Sequence, residues 1–496
     1  MTTAQPDLIL AIDQGTTGST CLLVDRTFTV HGRATVEFPQ HFPKPGWVEH
    51  DPEELWRSVC SAIEQALKGV HGNASRIAAI GITNQRETSL LWDRKTGAPL
   101  HRAIVWQDRR TAERCQALRD TGHADAIRAE TGLVTDPYFS GTKLAWVLDH
   151  VDGARARAEA GELAAGTIDT YLLWRLTAGA VHATEPSNAS RTMLWPLKGG
   201  GWSDALCERI GVPKAVLPEV FPCAHRFGVT AGVPGLPDGI PITGIAGDQQ
   251  AALFGQACFS PGEAKCTYGT GAFVMMNTGE KIVPSAHGLL TSVAWQLGDT
   301  TTYCLEGSSF MAGAVVQWLR DQLQFFTSAS EVEALARSVE DSGGVVVVPA
   351  HAGLGAPHWR PNARGLIRGL TRGTGRAHIA RATLEGIALQ IAELLDAMAA
   401  DLGAPLSGLN VDGGAAANDL LMQMQADLLG ITLRRPTMLE ATALGAISLA
   451  GLGAGIWIDT AALRAAWAED RAFEPAGDAE ALASLRAAWA ESVAVA

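Results

Sequence analysis

Three stretches of polar residues interrupt apolar sequence, and each carries side chains able to do chemistry. The first is Ile245-Ala-Gly-Asp-Gln-Gln-Ala-Ala-Leu-Phe-Gly255, in which Asp248, Gln249 and Gln250 stand inside an apolar, Gly-spaced run. An unpaired carboxylate between buried elements is costly, so Asp248 needs a partner or a purpose. The purpose its type suggests is a general base that accepts a proton from an alcohol; a loop holding a hydrogen-bonded Asp accounts for the same residues. The second stretch is Asp13-Gln-Gly-Thr-Thr-Gly-Ser-Thr20, where glycines and hydroxyls put donors around a small concavity suited to phosphate oxygens. Asp13 is placed to hold a magnesium ion through water, and an ordinary Gly/Ser/Thr turn is the plain alternative. The third is the adjacent pair Arg86 and Glu87, a fixed donor and acceptor equipped to read vicinal hydroxyls. A solvated surface ion pair is its alternative.

The elements that must position these groups alternate between strand and helix. Leu8–Ile12 and Cys21–Val24 read as the arms of a hairpin whose turn is residues 13–20, and Leu55, Val59, Ile63 and Leu67 mark a helix over 53–67. Ile77–Thr83 is a buried strand, and Arg86 and Glu87 follow its carboxyl end, where an open α/β sheet displays ligand groups. Ala103–Trp106 repeats that form, with Trp106 either an apolar wall for C–H groups or a core residue. Tyr138 lies in the turn-rich run Asp136–Lys143 before a helix, 188–192 reads as a polar loop, and 213–241 as surface connection. Glu263–Tyr268, Gly269-Thr-Gly271 and Ala272–Met276 form a second hairpin with a Gly/Thr turn, about half a chain after the first. Two such units suggest a duplicated architecture, in structure more than in sequence.

Gln317 falls on a helix starting near Met311, Val345–Val348 reads as a strand, and Leu384–Met398 as a long helix. Leu409–Asp412, Gly413-Gly414 and Ala417–Leu429 read as strand, turn and helix, with Asn418 suited to the N-cap and Gly430 to the C′ position. The Gly-Gly turn lets a flat ring or a phosphate come close, or lets the helix pack tightly on the sheet. The last fifty residues read as peripheral Ala-rich helix.

Composition bounds the function. At 496 residues, 47% hydrophobic and 18% charged, the chain is a multi-domain globular protein. A net charge of −13 argues against nucleic acid as partner, although backbone amides and a metal ion can still hold phosphates locally. None of the eight cysteines forms a Cys-x-x-Cys pair, so a zinc site or disulfide framework finds no support. Leu8–Ile12 is stopped by Asp13 and lacks a basic flank, unlike a signal peptide, and no apolar run is long enough to span a membrane. The expectation is a soluble, cytoplasmic protein. No Gly-Lys dipeptide of a P-loop occurs, and Gly451-Leu-Gly-Ala-Gly455 has the wrong spacing for a dinucleotide fingerprint. The Asp-Phe-Gly and His-Arg-Asp signatures of protein kinases are missing too.

Taken together, these runs resemble the FGGY carbohydrate kinase family, and within it the glycerol kinase branch, from about Leu8 to Gly453. The resemblance is carried by Asp13–Gly18, Lys44-Pro-Gly-Trp-Val-Glu-His-Asp51, Gly81-Ile-Thr-Asn-Gln-Arg-Glu87 and Asp136-Pro-Tyr-Phe-Ser-Gly-Thr-Lys143. It continues through Gly244–Gly255, Thr267-Tyr-Gly-Thr-Gly271, Gly353-Leu-Gly-Ala-Pro357 and Val411-Asp-Gly-Gly414. It implies an α/β fold of two actin-like (ribonuclease H-like) ATPase domains, 1–253 and 254–496, with a ligand cleft between them that closes over the substrates. It also implies ATP and Mg2+, a homo-oligomer (dimer or tetramer), and phosphorylation of glycerol to sn-glycerol 3-phosphate with Asp248 as general base. Arg86, Glu87, Tyr138, Asp248 and Gln249 match glycerol-contacting positions, and Trp106 and Phe273 the apolar wall beside them. Thr16, Thr17 and Gly18 match the first phosphate loop, Thr270 the second, and Gly313, Gln317, Gly414 and Asn418 the nucleotide-binding positions. Another polyol kinase, for xylulose or erythritol, and a non-metabolic actin-like ATPase are the alternatives.

Three departures stand out. Thr20 replaces a basic residue often found at the end of the first loop. The loop 230–238 has no Lys or Arg, against inhibition by fructose 1,6-bisphosphate, and no His, against activation by histidine phosphorylation.

Overall fold

The computed structural model describes residues 6–360 and 362–496. Two twisted sheets dominate it, and each half of the chain supplies one. In the first half, β1 (Leu8–Gln14), β2 (Gly18–Val24) and β3 (Val30–Glu37) form an antiparallel meander. After helix α1 (Pro52–Leu67) the chain adds β4 (Ile77–Asn84) parallel to β1; later come helix α2 (Ser140–His150), β5 (Ala224–Val229) and β6 (Pro241–Gly247), then helix α3 (Asp248–Gly255). The sheet order is β5-β6-β4-β1-β2-β3, with β6 parallel to β4 and β5 antiparallel to β6.

The second half repeats the plan. Strands β7 (Glu263–Tyr268), β8 (Ala272–Gly279), β9 (Leu290–Leu297) and β10 (Thr300–Ser309) are antiparallel neighbours in the order β7-β8-β10-β9. Helices α4 (Gly313–Asp321) and α5 (Arg376–Leu402) follow, then β11 (Gly408–Asp412), helix α6 (Asp419–Leu429), β12 (Leu433–Pro436), helix α7 (Ala441–Gly453) and β13 (Glu469–Phe473). With β11 parallel to β7 and β12 parallel to β11, the five strands β10-β8-β7-β11-β12 share the connectivity of β3-β2-β1-β4-β6, whereas the edges differ: β5 precedes β6 in the chain, β13 follows β12, and β9 is an extra edge strand. The expected duplication is therefore a duplication of topology.

The apolar run of β1 follows from burial on both faces. Leu8, Leu10 and Ile12 join the core beneath α1, whereas Ile9 and Ala11 join a second core shared by the two halves. That shared core is built by an exchange of helices: α7, from the second half, lies on the first sheet, and α3, from the first half, lies against strands of the second. Helix α7 is apolar on all sides because it is covered on all sides. Glycines set the spacing where α3 and α7 cross. A Cβ on Gly445 would stand 1.8 Å from the Ala251 carbonyl oxygen, and one on Gly255 would stand 2.1 Å from that of Ala441.

Several expected bounds shift. The first turn shrinks to Gly15–Thr17, because Asp13 and Thr20 pair across β1 and β2. The strand expected over 103–106 is confined to Ala103–Ile104, in a small sheet with Glu49–His50, Ser89–Asp93 and Leu163–Thr167. Pro186–Ala189 is a helical turn capped by the Glu185 carboxylate, so 188–192 is not wholly loop. The connection 213–241 contains β5, and the last fifty residues contain β13, which extends the second sheet. Among the described residues no helix is long and apolar enough to cross a membrane.

Candidate active site between the two halves

Asp248 is the first residue of α3, directly after β6, where the peptide chain leaves the first sheet. Its side chain is 29% exposed and stands 3.1 Å from Arg86 Nε, and it accepts a hydrogen bond from the Gln249 amide at 2.7 Å. Burial lifts its carboxyl to about 6, although Arg86 pulls the other way. Asp13, near the carboxyl end of β1 and separated from β6 by β4, is pushed up to about 7 by burial and then by the negative charge of Asp248. Among the described residues no cation offsets that repulsion at Asp13. Two carboxylates whose charges repel each other, one of them without a counter-charge, are a donor set suited to a hard divalent cation that keeps most of its ligands as water or phosphate.

Arg86 and Glu87 are 3% and 1% exposed, which removes the reading as a solvated surface pair. Glu87 has a left-handed backbone (φ +61°), uncommon for a residue with a Cβ, in the turn that follows β4. Arg86 grips Glu306 with both terminal nitrogens, at 2.7 and 2.8 Å, and reaches the Gln250 side-chain oxygen at 3.2 Å and the Tyr138 hydroxyl at 3.4 Å. Arg191, fully buried, donates to Glu87 at 2.6 Å and to Ser292 at 2.8 Å and lies 3.1 Å from Glu306. The four charges cancel within one cluster, as buried charges must. Glu306 shows the balance: burial favours its neutral form, yet the Arg191 and Arg86 guanidiniums bring its carboxyl down to about 2. Glu306 lies on β10 of the second half and Arg86 follows β4 of the first, so this cluster also ties the halves together.

Tyr138 presents its ring edge to Trp106, with centroids 5.7 Å apart, and its backbone carbonyl accepts from Lys143 of α2. Lys143 also donates to the Phe139 carbonyl at 3.1 Å, and burial lowers its ammonium to about 7. Trp106 donates its indole N–H to the Thr16 hydroxyl at 2.9 Å, joining the aromatic pair to the first turn. In that turn Gly15 N–H donates to the Gly18 carbonyl at 2.9 Å, and Thr17 is exposed. Gln249 and Phe273 (on β8) are both half-buried. Lys265, on β7, donates to the Gln249 side-chain oxygen and, at 2.9 Å, to the Thr267 hydroxyl.

The second turn is built against α4. Gly269 accepts from Gly313 N–H at 2.8 Å, and Thr270 accepts from Ala312 and Ala314 at 2.9 and 3.0 Å. Gly313 thus spends its amide on the turn, and its missing side chain lets α4 close on Gly269, where a Cβ would stand 2.7 Å from the carbonyl oxygen. Thr270 and Gln317 are exposed. Gly413 has φ +86° and lies so near Tyr268 that a Cβ would meet its backbone at 2.5 Å, whereas a Cβ on Gly414 would meet nothing. Open space over Gly414 suits a flat ligand. Asn418 caps α6 as expected, accepting from Leu421 N–H at 2.9 Å.

The structure therefore gathers Arg86, Glu87, Tyr138, Asp248 and Gln249 into one contact network with Trp106 and Thr16, and Asp13 is linked to it through the charge of Asp248. It places Thr270, Gly313 and Gln317 around the second turn, and Gly414 and Asn418 at the start of α6. Sequence reasoning missed Arg191, Lys265, Glu306 and Lys143, and it left Gln250 without a role. The available signal was a lone charge inside an apolar strand, as in Tyr303-Cys-Leu-Glu306 and Ala264-Lys265-Cys, which is the signal that had singled out Asp248.

Residues 8–255 match the N-terminal domain of the FGGY family of carbohydrate kinases and residues 264–454 its C-terminal domain. The chain is similar to the glycerol kinase of Myxococcus xanthus (59% identical, over 94% of this chain and 95% of that protein). It is also similar to that of Bordetella parapertussis (58% identical, over 96% and 94%). Among solved structures it superposes on Plasmodium falciparum glycerol kinase with ADP, with a TM-score of 0.93, 36% identity and 98% of each chain covered. A xylulose kinase from Lactobacillus acidophilus shares the fold with a TM-score of 0.85 at 23% identity, over 98% and 97% of the chains.

Proposed function

The chain belongs to the FGGY family of carbohydrate kinases, and from that premise we infer that it transfers the γ-phosphoryl group of ATP to glycerol, yielding sn-glycerol 3-phosphate and ADP. The observation that carries this reading is near-full-length identity with glycerol kinases, joined to a buried Arg86/Glu87 pair facing the Tyr138, Asp248 and Gln249 side chains. Xylulose kinases share the fold and fall below 25% identity, so a five-carbon sugar is not favoured as substrate.

Phosphoryl transfer of this kind depends on positioning and on neutralising charge. Glycerol lies against Trp106 and Phe273, its hydroxyls held by Arg86, Glu87, Tyr138 and Gln249. The attacking hydroxyl faces Asp248, whose carboxylate takes the proton as the oxygen bonds to the γ-phosphorus and the bond to the β-phosphate oxygen breaks. Its setting, paired with Arg86 and 29% exposed, suits a base for that step. Thr16, Thr17 and Gly18 receive phosphate oxygens from one side of the cleft and Thr270 from the other. The adenosine lies over Gly414, with Gly313, Gln317 and Asn418 around it. Asp13 would hold Mg2+, which would neutralise phosphate charge when bound with ATP. The polyol side belongs to 1–253, apart from Phe273, and the nucleotide side mainly to 254–496. The enzyme works in the cytoplasm as a homo-oligomer, a dimer or tetramer.

A coupled ADP-release assay over a panel of polyols and sugars tests the reading. Glycerol is expected to give the highest kcat/KM. A preference for xylulose or erythritol overturns the substrate, and ATP turnover indifferent to every polyol overturns the kinase.

A further inference from the structure

Lys265 lies behind the cleft, and its chemistry has so far been given no use. Its side chain is fully buried on β7, in the second half of the molecule. A buried ammonium is expensive unless paired, yet among the described residues no carboxylate stands within ion-pair distance of it; Asp412 and Asp248 act on it only from further off. Its partners are neutral, the Gln249 side-chain oxygen and the Thr267 hydroxyl. Burial accordingly lowers its pKa, with Asp412 pulling back. Replacing such a lysine by an apolar side chain of similar length should cost the fold little, so its presence calls for another reason.

The reason lies in the amide it touches. A glutamine side chain can present either its oxygen or its nitrogen to a neighbour, and the two ends look nearly alike. A lysine ammonium only donates. Lys265 therefore admits one orientation of Gln249, with Oε1 inward and Nε2 turned away. Gln249 Nε2 has no partner among the described residues, and the side chain is half-buried next to Asp248 at the start of α3. An ordered N–H donor next to the base is thus presented to the cleft by a cation that itself never reaches it.

We propose that Lys265 is a positioning residue for the polyol: by fixing the Gln249 amide, it makes that side chain a hydrogen-bond donor to one substrate hydroxyl oxygen and so contributes to recognition of glycerol. The inference rests on the glycerol kinase reading. It adds that the second half of the chain, through β7, sets the donor pattern of a site whose polar contacts come from the first.

Lys265→Met keeps the length of the side chain and removes the donor. The expected result is a rise of about ten-fold in glycerol KM, the loss of one ordered hydrogen bond, with ATP KM within about two-fold of wild type and the melting temperature unchanged or higher. The penalty should fall below about two-fold for either 1,2-propanediol or 1,3-propanediol, tested as substrate or competitive inhibitor, whichever lacks the hydroxyl met by Gln249. Gln249→Glu gives an independent arm if Lys265→Met fails to fold. It satisfies Lys265 with a better acceptor but has no N–H, so glycerol KM should rise by a similar factor while the melting temperature rises. Equal penalties on glycerol, both propanediols and ATP, or no penalty at all, overturn the proposal. Those outcomes require a wild-type protein that phosphorylates glycerol in the same assay. A wild type that ignores glycerol overturns the proposed function, and the positioning role falls with it.

Discussion

The first Gly/Thr turn, Gly15–Thr17, and the second, Gly269–Gly271, link equivalent strands of two sheets that share a five-strand connectivity, but they are held in place by unlike means. The second is held by backbone alone: the amides that open α4 donate to the carbonyls of Gly269 and Thr270. The first has a backbone bond from Phe38 N–H to the Thr17 carbonyl at 3.3 Å, and is held besides by side chains from four separate segments. Gln85 donates to Gln14 at 2.9 Å and to the Gly15 carbonyl at 3.1 Å, and its oxygen accepts from Thr88 at 2.8 Å. Gln40 donates to the Thr16 carbonyl at 2.9 Å and accepts from His50 at 2.6 Å, while Trp106 binds the Thr16 hydroxyl. A shared topology therefore fixes where a phosphate turn stands, and the local sequence decides what it responds to. The second turn answers to movement of α4. The first answers to the polyol wall, through Trp106, and to the Lys44–Asp51 run, through His50.

Neither turn contains a proton acceptor, so both act by position. The largest effect should come from the element between them. Asp248→Asn is expected to lower kcat by roughly 10²–10⁴ with glycerol KM changed only a few-fold, the usual cost of losing a general base. Steady-state kinetics decide it: near-normal turnover would mean that the base lies elsewhere, and that the turns do more than position.

The next test separates the two supports. A Cβ on Gly313 would stand 2.7 Å from the Gly269 carbonyl oxygen, so Gly313→Ala must push the second turn and α4 apart. Such overpacking costs about 1–3 kcal/mol. If it is felt in the nucleotide complex, ATP KM rises about ten-fold or more while glycerol KM stays near wild type. A matching rise for glycerol would show that the two turns are not independently supported.

A third prediction uses the fact that only the first turn leans on a titratable ring. Burial, helped by the neighbouring His41, holds His50 at about 3, far below an ordinary histidine. Gln85 donates to its Nδ1 at 3.3 Å, which leaves Nε2–H to donate to Gln40. The neutral ring is thus the working form. Since its folded pKa is depressed, its contribution is complete above about pH 6.5 and is lost as pH falls from there toward 3. His50→Asn should therefore flatten the acid limb of the melting curve, by about 2 kcal/mol at pH 5 relative to pH 7. An unchanged slope between those pH values would show that the first turn is as indifferent to acid as the second.

The parts of this comparison differ in how far sequence reveals them. Both hairpins were readable, because apolar strands around Gly/Thr turns are local patterns, and so were the helix α6 cap at Asn418 and the polar ends after β4 and β6. The shortened turn was not, because the polar Asp13 and Thr20 that pair across it lack an apolar strand pattern, and β13 was not, because Leu433 pairs with a partner as distant as Phe473. In the site, Asp248, Arg86 and Glu87 announced themselves as charges beyond strand ends. Glu306 and Lys265 sit inside strands, and their use shows only when the second sheet is brought against the first. Gln250 was legible as polar but not as the acceptor for Arg86, because that contact joins residues 164 apart in sequence.

The smallest expected effect bears on the one bond that joins the polyol wall to the first turn. Trp106→Phe keeps an aromatic face for the substrate's C–H groups and removes only the N–H that Thr16 accepts. A half-buried hydrogen bond of this kind contributes about 0.5–1.5 kcal/mol, or roughly three- to ten-fold in an equilibrium. If Trp106 were a wall and nothing more, the change would appear in glycerol KM alone. Because its bond ends on Thr16, ATP KM should rise as well, and binding of a non-hydrolysable ATP analogue should depend less on glycerol than it does in the wild type. Gly313→Ala, at the turn held by backbone, should leave that dependence intact. Titration of the analogue with and without glycerol, in both variants, reads the difference directly. Equal coupling in the two would mean that the first turn, for all its side-chain supports, is no more sensitive to the polyol than the second.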